Sequence, residues 1–200
     1  MQIVGLIEKL VWNMIIKPLI VNFISGPASG KTTLASKIFS RLKQDGVSVG
    51  LVTEFATQCI MEKQTDIFNY QYFISANQLY RQETTEKQYS IVVTDSPILL
   101  FLVYGEWDEI YNKDDNQEKI NKGLENFYLG KYHQKNNLMF YIERNPDLYT
   151  PENRINTLEE AYIIDEKILE ILNKYKIDYI KIKNNLENED YIFELIKFSI

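Results

Sequence analysis

The chain has 200 residues, 45% of them hydrophobic, enough for one domain with a sizeable core, and nothing in it marks a second. Its net charge is −6 and no lysine- or arginine-rich stripe appears, which argues against a dedicated nucleic-acid binder, though not against an enzyme acting on a strand end. Cys59 is the only cysteine and His133 the only histidine, so a disulfide framework and a histidine-built metal or catalytic network are excluded, and a reducing cytoplasmic setting is expected.

Residues 1–17 read as an N-terminal extension. They are apolar but carry Glu8, Lys9 and Lys17, so no uninterrupted apolar run of about 18 residues exists. No basic segment precedes a small-residue cleavage site either, so neither a membrane span nor a signal peptide is expected. Ile3, Leu6, Ile7, Leu10 and Met14 share one helical face, which fits a short docking helix. A start at Met14, with an upstream extension of thirteen residues, is the other reading.

From residue 18 to 200, short apolar runs alternate with longer helical patterns, the signature of an α/β domain with a parallel sheet and crossover helices. "PLIVNFI" (18–24) predicts a buried strand. Leu34, Ala35, Ile38, Phe39 and Leu42 mark the apolar face of a helix ending near Gly46. "VSVGLVT" (47–53) is the second strand, residues 66–88 a long helix, and "SIVVTD" (90–95) the third strand, buried on both faces. Residues 105–118 are polar and acidic, a surface excursion before a helix at about 117–132. "NLMFYIE" (137–143) is the fourth strand and "KIDYIKI" (176–182) the fifth. Between them Thr157 and Glu160 form a capping box, opening a helix that turns Leu158, Ala161, Ile168, Leu169 and Leu172 inward. A last helix covers about 190–198.

The segment "SGPASGKTT", Ser25 to Thr33, joins the first strand to the first helix. In that context Gly26, Pro27, Ala28, Ser29, Gly30, Lys31, Thr32 and Thr33 predict a phosphate-binding loop. Successive backbone N–H groups and the helix dipole make an anion site, Lys31 reaches the β- and γ-phosphates, and the Thr32 hydroxyl ligates Mg²⁺. The usual pattern has glycine where Ser25 stands. That position lies where the strand turns, so a small residue can fill it, whereas the approach to phosphate depends on Gly30.

"SGPASGKTTLA", "LVTEFA" after the second strand and "VVTDSP" after the third together resemble the small P-loop kinases. The resemblance is nearest to nicotinamide-riboside-kinase-like ATPase domains of the AAA type, phage-type members included. "ERNPDLYTPENRINTLEEAYIID" is similar to that group's arginine-containing lid and following helix, and the likeness spans roughly 18–183. It implies a three-layer P-loop NTPase fold, a five-stranded parallel sheet of order 2-3-1-4-5, a lid at about 144–156, and ATP with Mg²⁺ as cofactors. It also implies γ-phosphate transfer to a nucleoside or nucleotide hydroxyl.

Ligands of open α/β sheets bind beyond the carboxyl ends of the strands, where the next candidates lie. Glu54 either accepts the proton of a substrate hydroxyl or caps the helix that starts near Ala56. Asp95 is in the place of an acid that holds Mg²⁺, directly or through water, or else caps the turn before Ser96 and Pro97. The two carboxylates can also exchange roles. "TDSP" lacks the Asp-Glu pair of a hydrolytic motor, which argues against a dedicated ATPase. Arg144 and Arg154 flank the lid and either neutralise charge during transfer or decorate a solvated loop, with Tyr149 as an ordering aromatic.

Gln71, Gln78 and Arg81 lie near one face of the 66–88 helix, where they either meet the acceptor or form an ordinary polar face. Phe68, Tyr72 and Phe73 are expected in the core, and a place for Lys183, Asn184 and Asn185 against adenine is implied by resemblance alone. The expected partners are a nucleoside triphosphate and a small-molecule acceptor, without a membrane or nucleic acid. A regulatory ATPase and a kinase of nucleic-acid ends or modified bases are the rivals.

Overall fold

The structure, a computed structural model, describes residues 17–105, 115–146, 156–183 and 185–199. Five strands form: β1 (Leu19–Ile24), β2 (Val49–Val52), β3 (Ile91–Thr94), β4 (Asn136–Glu143) and β5 (Ile180–Lys183). They pair in the order β2-β3-β1-β4-β5, and every pair is parallel. This is the order the family resemblance implies. All six residues of the central β1 are buried, as a doubly covered strand requires, and its one polar residue, Asn22, donates its side-chain amide to the Ile20 carbonyl and to Asn137 Oδ1, both at 3.0 Å.

The helices are α1 (Lys31–Gln44), α2 (Phe55–Met61), α3 (Gln71–Glu86), α4 (described over 100–105), α5 (Asp115–His133), α6 (Leu158–Lys174) and α7 (Leu186–Phe198). Side chains alternate across a strand, so each sheet face needs its own cover. Leu19, Val21 and Phe23 pack with Leu34 and Ile38 of α1 and with Ile192 and Ile196 of α7. On the other face Ile24, Met139 and Tyr141 pack with Leu102, Tyr128, Ile164 and Ile168 from α4, α5 and α6. Three layers result.

The capping signals act as expected. Thr157 Oγ1 accepts from the Glu160 N–H while the Glu160 carboxylate accepts from the Thr157 N–H, and α1 gives way to Gly46 at φ +74.

Three expectations fail. The helix expected over 66–88 is interrupted: a 3₁₀ turn (Thr65–Asn69) ends at Tyr70, whose φ of −128° and ψ of 68° are not helical, and α3 starts after it. The Gln71 amide donates to the Phe68 carbonyl and so stabilises that break. The run 176–182 yields a strand only from Ile180, because Lys176 takes φ +53 and Ile177 donates back to the Leu172 carbonyl to end α6. Phe73 is 44% exposed rather than part of the core, its ring tilted against Phe55 at 6.2 Å.

The expected docking helix within 1–16, residues 106–114 of the acidic excursion, and residues 147–155 of the lid lie outside the described residues. Among the described residues no helix is long and apolar enough to cross a membrane.

Candidate functional site

At the carboxyl end of β1 the chain turns through residues 25–30 into α1. Ala28 at φ +58 and Gly30 at φ +88 are both left-handed, one on each side of Ser29. Left-handed residues set between ordinary ones turn backbone N–H groups toward a common centre, the geometry of an anion-binding concavity. Gly30 occupies the N-cap of α1, and no side chain caps that helix end.

Ser25, the residue in place of glycine, is fully buried and its hydroxyl donates to Asp165 Oδ1 at 3.1 Å. The Gly26 N–H donates to the same oxygen at 2.6 Å. A Cβ at position 26 would come within 2.8 Å of both the Ala161 carbonyl oxygen and Asp165 Oδ1, and within 2.9 Å of Arg144 Nη2. The glycine that this loop cannot replace at its first turn is therefore Gly26, while Ser25 fits.

Lys31 donates its ammonium to the Gly26 carbonyl at 2.7 Å. Burial holds its pKa below the usual lysine value, against the opposing pull of Glu54, Asp95 and Asp165. Asp95, at the end of β3, is 2% exposed. Burial pushes its carboxyl up, while a hydrogen bond from Thr32 and the charge of Lys31 act against that push. The amide of Ser96 donates to Thr94 Oγ1, and the next helix opens only at 100, so the turn after β3 is closed by Thr94.

Glu54 stands at the N-cap position of α2 but caps no backbone N–H; its carboxylate accepts from Thr57 Oγ1 at 2.7 Å. The neighbouring Phe55 N–H goes to Gln78 Oε1 at 3.0 Å, and Gln78 Nε2 donates to the Ser96 carbonyl at 3.1 Å. Gln78 is 4% exposed, so its amide is a buried strut between the loops that carry Glu54 and Asp95. Arg81 faces outward, its guanidinium 4.7 Å from the Phe55 ring centre and bonded to Gln58 Oε1. Gln71 is committed to Phe68, and Tyr72 packs on the core.

Arg144, just past β4, donates Nε to Asp165 Oδ2 at 2.7 Å and Nη2 to the Ala161 carbonyl at 3.5 Å. Pro27 and Thr33 complete the loop and the first turn of α1. Asn185 caps α7 by accepting from the Asn188 N–H at 2.9 Å, beside the exposed Lys183. Tyr149, Arg154 and Asn184 lie outside the described residues.

Two residues escaped the sequence reading. Asp165 falls in the buried stripe Ala161, Ile164, Asp165, Ile168 of α6, and a carboxylate on such a stripe is the signal that could have found it. Tyr104 of α4, packed against the core, has its hydroxyl pushed up first by burial and then by the charges of Glu54 and Asp165.

Among the described residues three buried side-chain atoms have no hydrogen-bond partner: Ser29 Oγ, Asp95 Oδ1 and Arg144 Nη1. They come from the loop, from just past β3 and from just past β4, and all three belong to this site. Orphaned polar atoms are costly in a protein interior, so their gathering at a phosphate loop fits an anionic ligand with a cation. No group of three or more acidic, histidine or cysteine side chains gathers among the described residues. The Thr32–Asp95 pair suits Mg²⁺, which keeps most of its shell as water and phosphate oxygen.

A family model described as an AAA domain matches residues 20–189. No curated protein matches the sequence. In fold the chain is similar to the crystal structure of NadR protein in complex with NR, at 15% identity and a TM-score of 0.55. The likeness covers 82% of this chain and 43% of that one, so the chain spans less than half of that protein.

Proposed function

The chain belongs to the AAA-domain family of P-loop nucleotide-binding proteins, and we propose that it is a kinase moving the γ-phosphate of ATP·Mg²⁺ to a small nucleoside- or nucleotide-type hydroxyl. The observation that carries the proposal is the trio of orphaned polar atoms around Lys31. Each finds a partner if a polyphosphate and its cation bind.

The loop amides and Lys31 would hold the β- and γ-phosphates, and Thr32 and Asp95 would hold a cation, which would supply charge neutralisation of those phosphates. Glu54 takes the proton of the acceptor hydroxyl as that oxygen bonds to phosphorus and the bond to the departing ADP oxygen breaks. Arg144, together with Arg154 from the lid, offsets charge on the transferring group. Gln78 serves by spacing the two acids, and Arg81 is left to face an acceptor at the α2–α3 edge. Asp95 ends its strand without a following glutamate, which favours acceptor-dependent transfer over a hydrolytic motor. The reaction is assigned to the cytoplasm, with neither membrane nor nucleic acid as partner.

The test is ATP turnover against a panel of nucleosides, nucleotides and NR, scored by the mass of phosphorylated product. Turnover should be slow alone and rise with one acceptor. Fast hydrolysis without acceptor, or only with a macromolecule, would replace the kinase by a regulatory ATPase.

A further inference from the structure

We propose that Asp165 is a positioning residue that fixes the first turn of the phosphate loop and aims the free edge of Arg144 at the terminal phosphate. The proposal rests on the nucleotide-binding reading above. One carboxylate, carried by α6, reaches the ends of two strands. Oδ1 accepts from Gly26 N–H and Ser25 Oγ at the end of β1, and Oδ2 accepts from Arg144 Nε at the end of β4. Arg144 and Asp165 side chains are 3% and 8% exposed.

A guanidinium is a planar fork with donors fixed in direction. With Nε on Asp165 and Nη2 on the Ala161 carbonyl, one edge of Arg144 is consumed by α6. The remaining buried donor without a partner is Nη1. A serine at position 25 adds a hydroxyl that a glycine lacks, and its bond to Oδ1 helps hold the carboxylate between loop and arginine. A buried ion pair contributes little net stability but fixes orientation, and breaking it leaves an uncompensated charge. The same carboxylate thus sets both the loop and the arginine, so the distance between them is not free to vary.

The experiment measures ATP·Mg²⁺ and ADP·Mg²⁺ affinity by calorimetric titration for the wild type, Asp165→Asn, Arg144→Lys and the double variant. Asparagine keeps an oxygen for the Gly26 N–H but turns an amide NH₂ toward Arg144, and lysine keeps the charge without the fork. The wild type should prefer ATP to ADP. Each single variant should lose roughly tenfold or more of that preference, the scale of one charged hydrogen bond, with ADP affinity changed less than about twofold. The double variant should be no worse than Arg144→Lys alone, because Asp165 acts through Arg144.

A lowered melting temperature with the preference intact in both variants would make the pair a static strut and overturn the proposal. Additive losses in the double variant, or a wild type without preference, would overturn it too. If Asp165→Asn does not fold, Arg144→Lys alone decides, and an unchanged preference there is fatal. A wild type that binds neither nucleotide brings down the nucleotide-binding reading and this inference together; one that binds ATP while its variants behave like it brings down only the inference.

Discussion

Lys31 Nζ lies 2.7 Å from the carbonyl oxygen of Gly26, so the ammonium is bonded back across the loop from which it springs. That contact gives the half-buried ammonium a partner within the loop. At about 100 times its dissociation constant, ATP·Mg²⁺ should stabilise the fold by roughly 2.7 kcal/mol, a melting shift of about 5–10 °C for a domain of this size. Lys31→Ala should remove most of the shift in a thermal melt. No shift with any nucleoside triphosphate in the wild type would mean that the loop does not bind nucleotide.

Asp95 predicts a conflict between stability and function. Its carboxyl is pushed above the ordinary value of 3.8, first by burial, so the folded state holds its proton more tightly than the unfolded chain. Stability from this group is therefore greatest below pH 3.8 and is lost as pH rises from there through the elevated folded value. Asp95→Asn removes the carboxyl whose ionisation burial disfavours. In Mg²⁺-free, nucleotide-free buffer the variant should melt above the wild type, each kcal/mol gained raising Tm by about 2–4 °C. It should also lose the Mg²⁺-dependent part of nucleotide affinity. A variant that melts lower and still binds ATP·Mg²⁺ fully would return Asp95 to the role of a turn residue.

The loop was readable because its signal is local. Strand, glycine-bearing turn and amphipathic helix follow one another between Leu19 and Gln44, and their order in sequence is their order in space. The capping box at Thr157 was readable for the same reason. Strand order came through the family resemblance, since short apolar runs do not say which neighbours they choose. Asp165 stayed hidden because its partner Gly26 is 139 residues away, and a carboxylate has no periodicity of its own. Gln78 looked like one more polar helix residue. Its two bonds reach loops on either side of α3, and only the fold brings those together.

Position 26, not position 25, should be the intolerant one. Ser25→Gly removes a single hydrogen bond at a buried site and should cost about 1 kcal/mol. Gly26→Ala drives a methyl against the backbone at Ala161, where little can give, and should cost more than that while weakening nucleotide binding. Chemical denaturation of the two variants side by side checks the ranking. A milder Gly26→Ala would mean that α6 moves away from the loop easily.

Glu54→Gln separates base from cap. The carboxylate is half-buried, bonded to Thr57, and caps no backbone N–H, so replacing it with the isosteric amide should leave stability and ATP affinity nearly unchanged. With the acceptor present, kcat should fall about 10²- to 10⁴-fold, the usual scale for losing a general base. Full transfer by the glutamine variant, alongside loss of transfer by an Asp95→Asn protein that binds ATP·Mg²⁺ normally, would reverse the roles of the two acids.

Gln78 tests whether those acids act as a spaced pair. Gln78→Leu keeps the volume of the side chain but strands the part-buried Phe55 N–H and the buried Ser96 carbonyl beside the strand ends. Leaving buried polar groups unpaired costs about 1–3 kcal/mol, so Tm should fall by several degrees. The loops bearing Glu54 and Asp95 would no longer be tied to one helix, and misplacement of catalytic groups by about 1 Å can cost on the order of 100-fold in rate. Transfer should therefore drop much further than the loss of folded protein explains at a temperature where the variant remains native. Gln78→Glu should be no milder: it keeps an acceptor for the Phe55 N–H but sets a carboxylate against the Ser96 carbonyl at a site 4% exposed, so it should melt at or below the leucine variant. A leucine variant that is less stable yet turns over at the wild-type rate per folded molecule would show that the strut holds the fold and leaves the acids where they were.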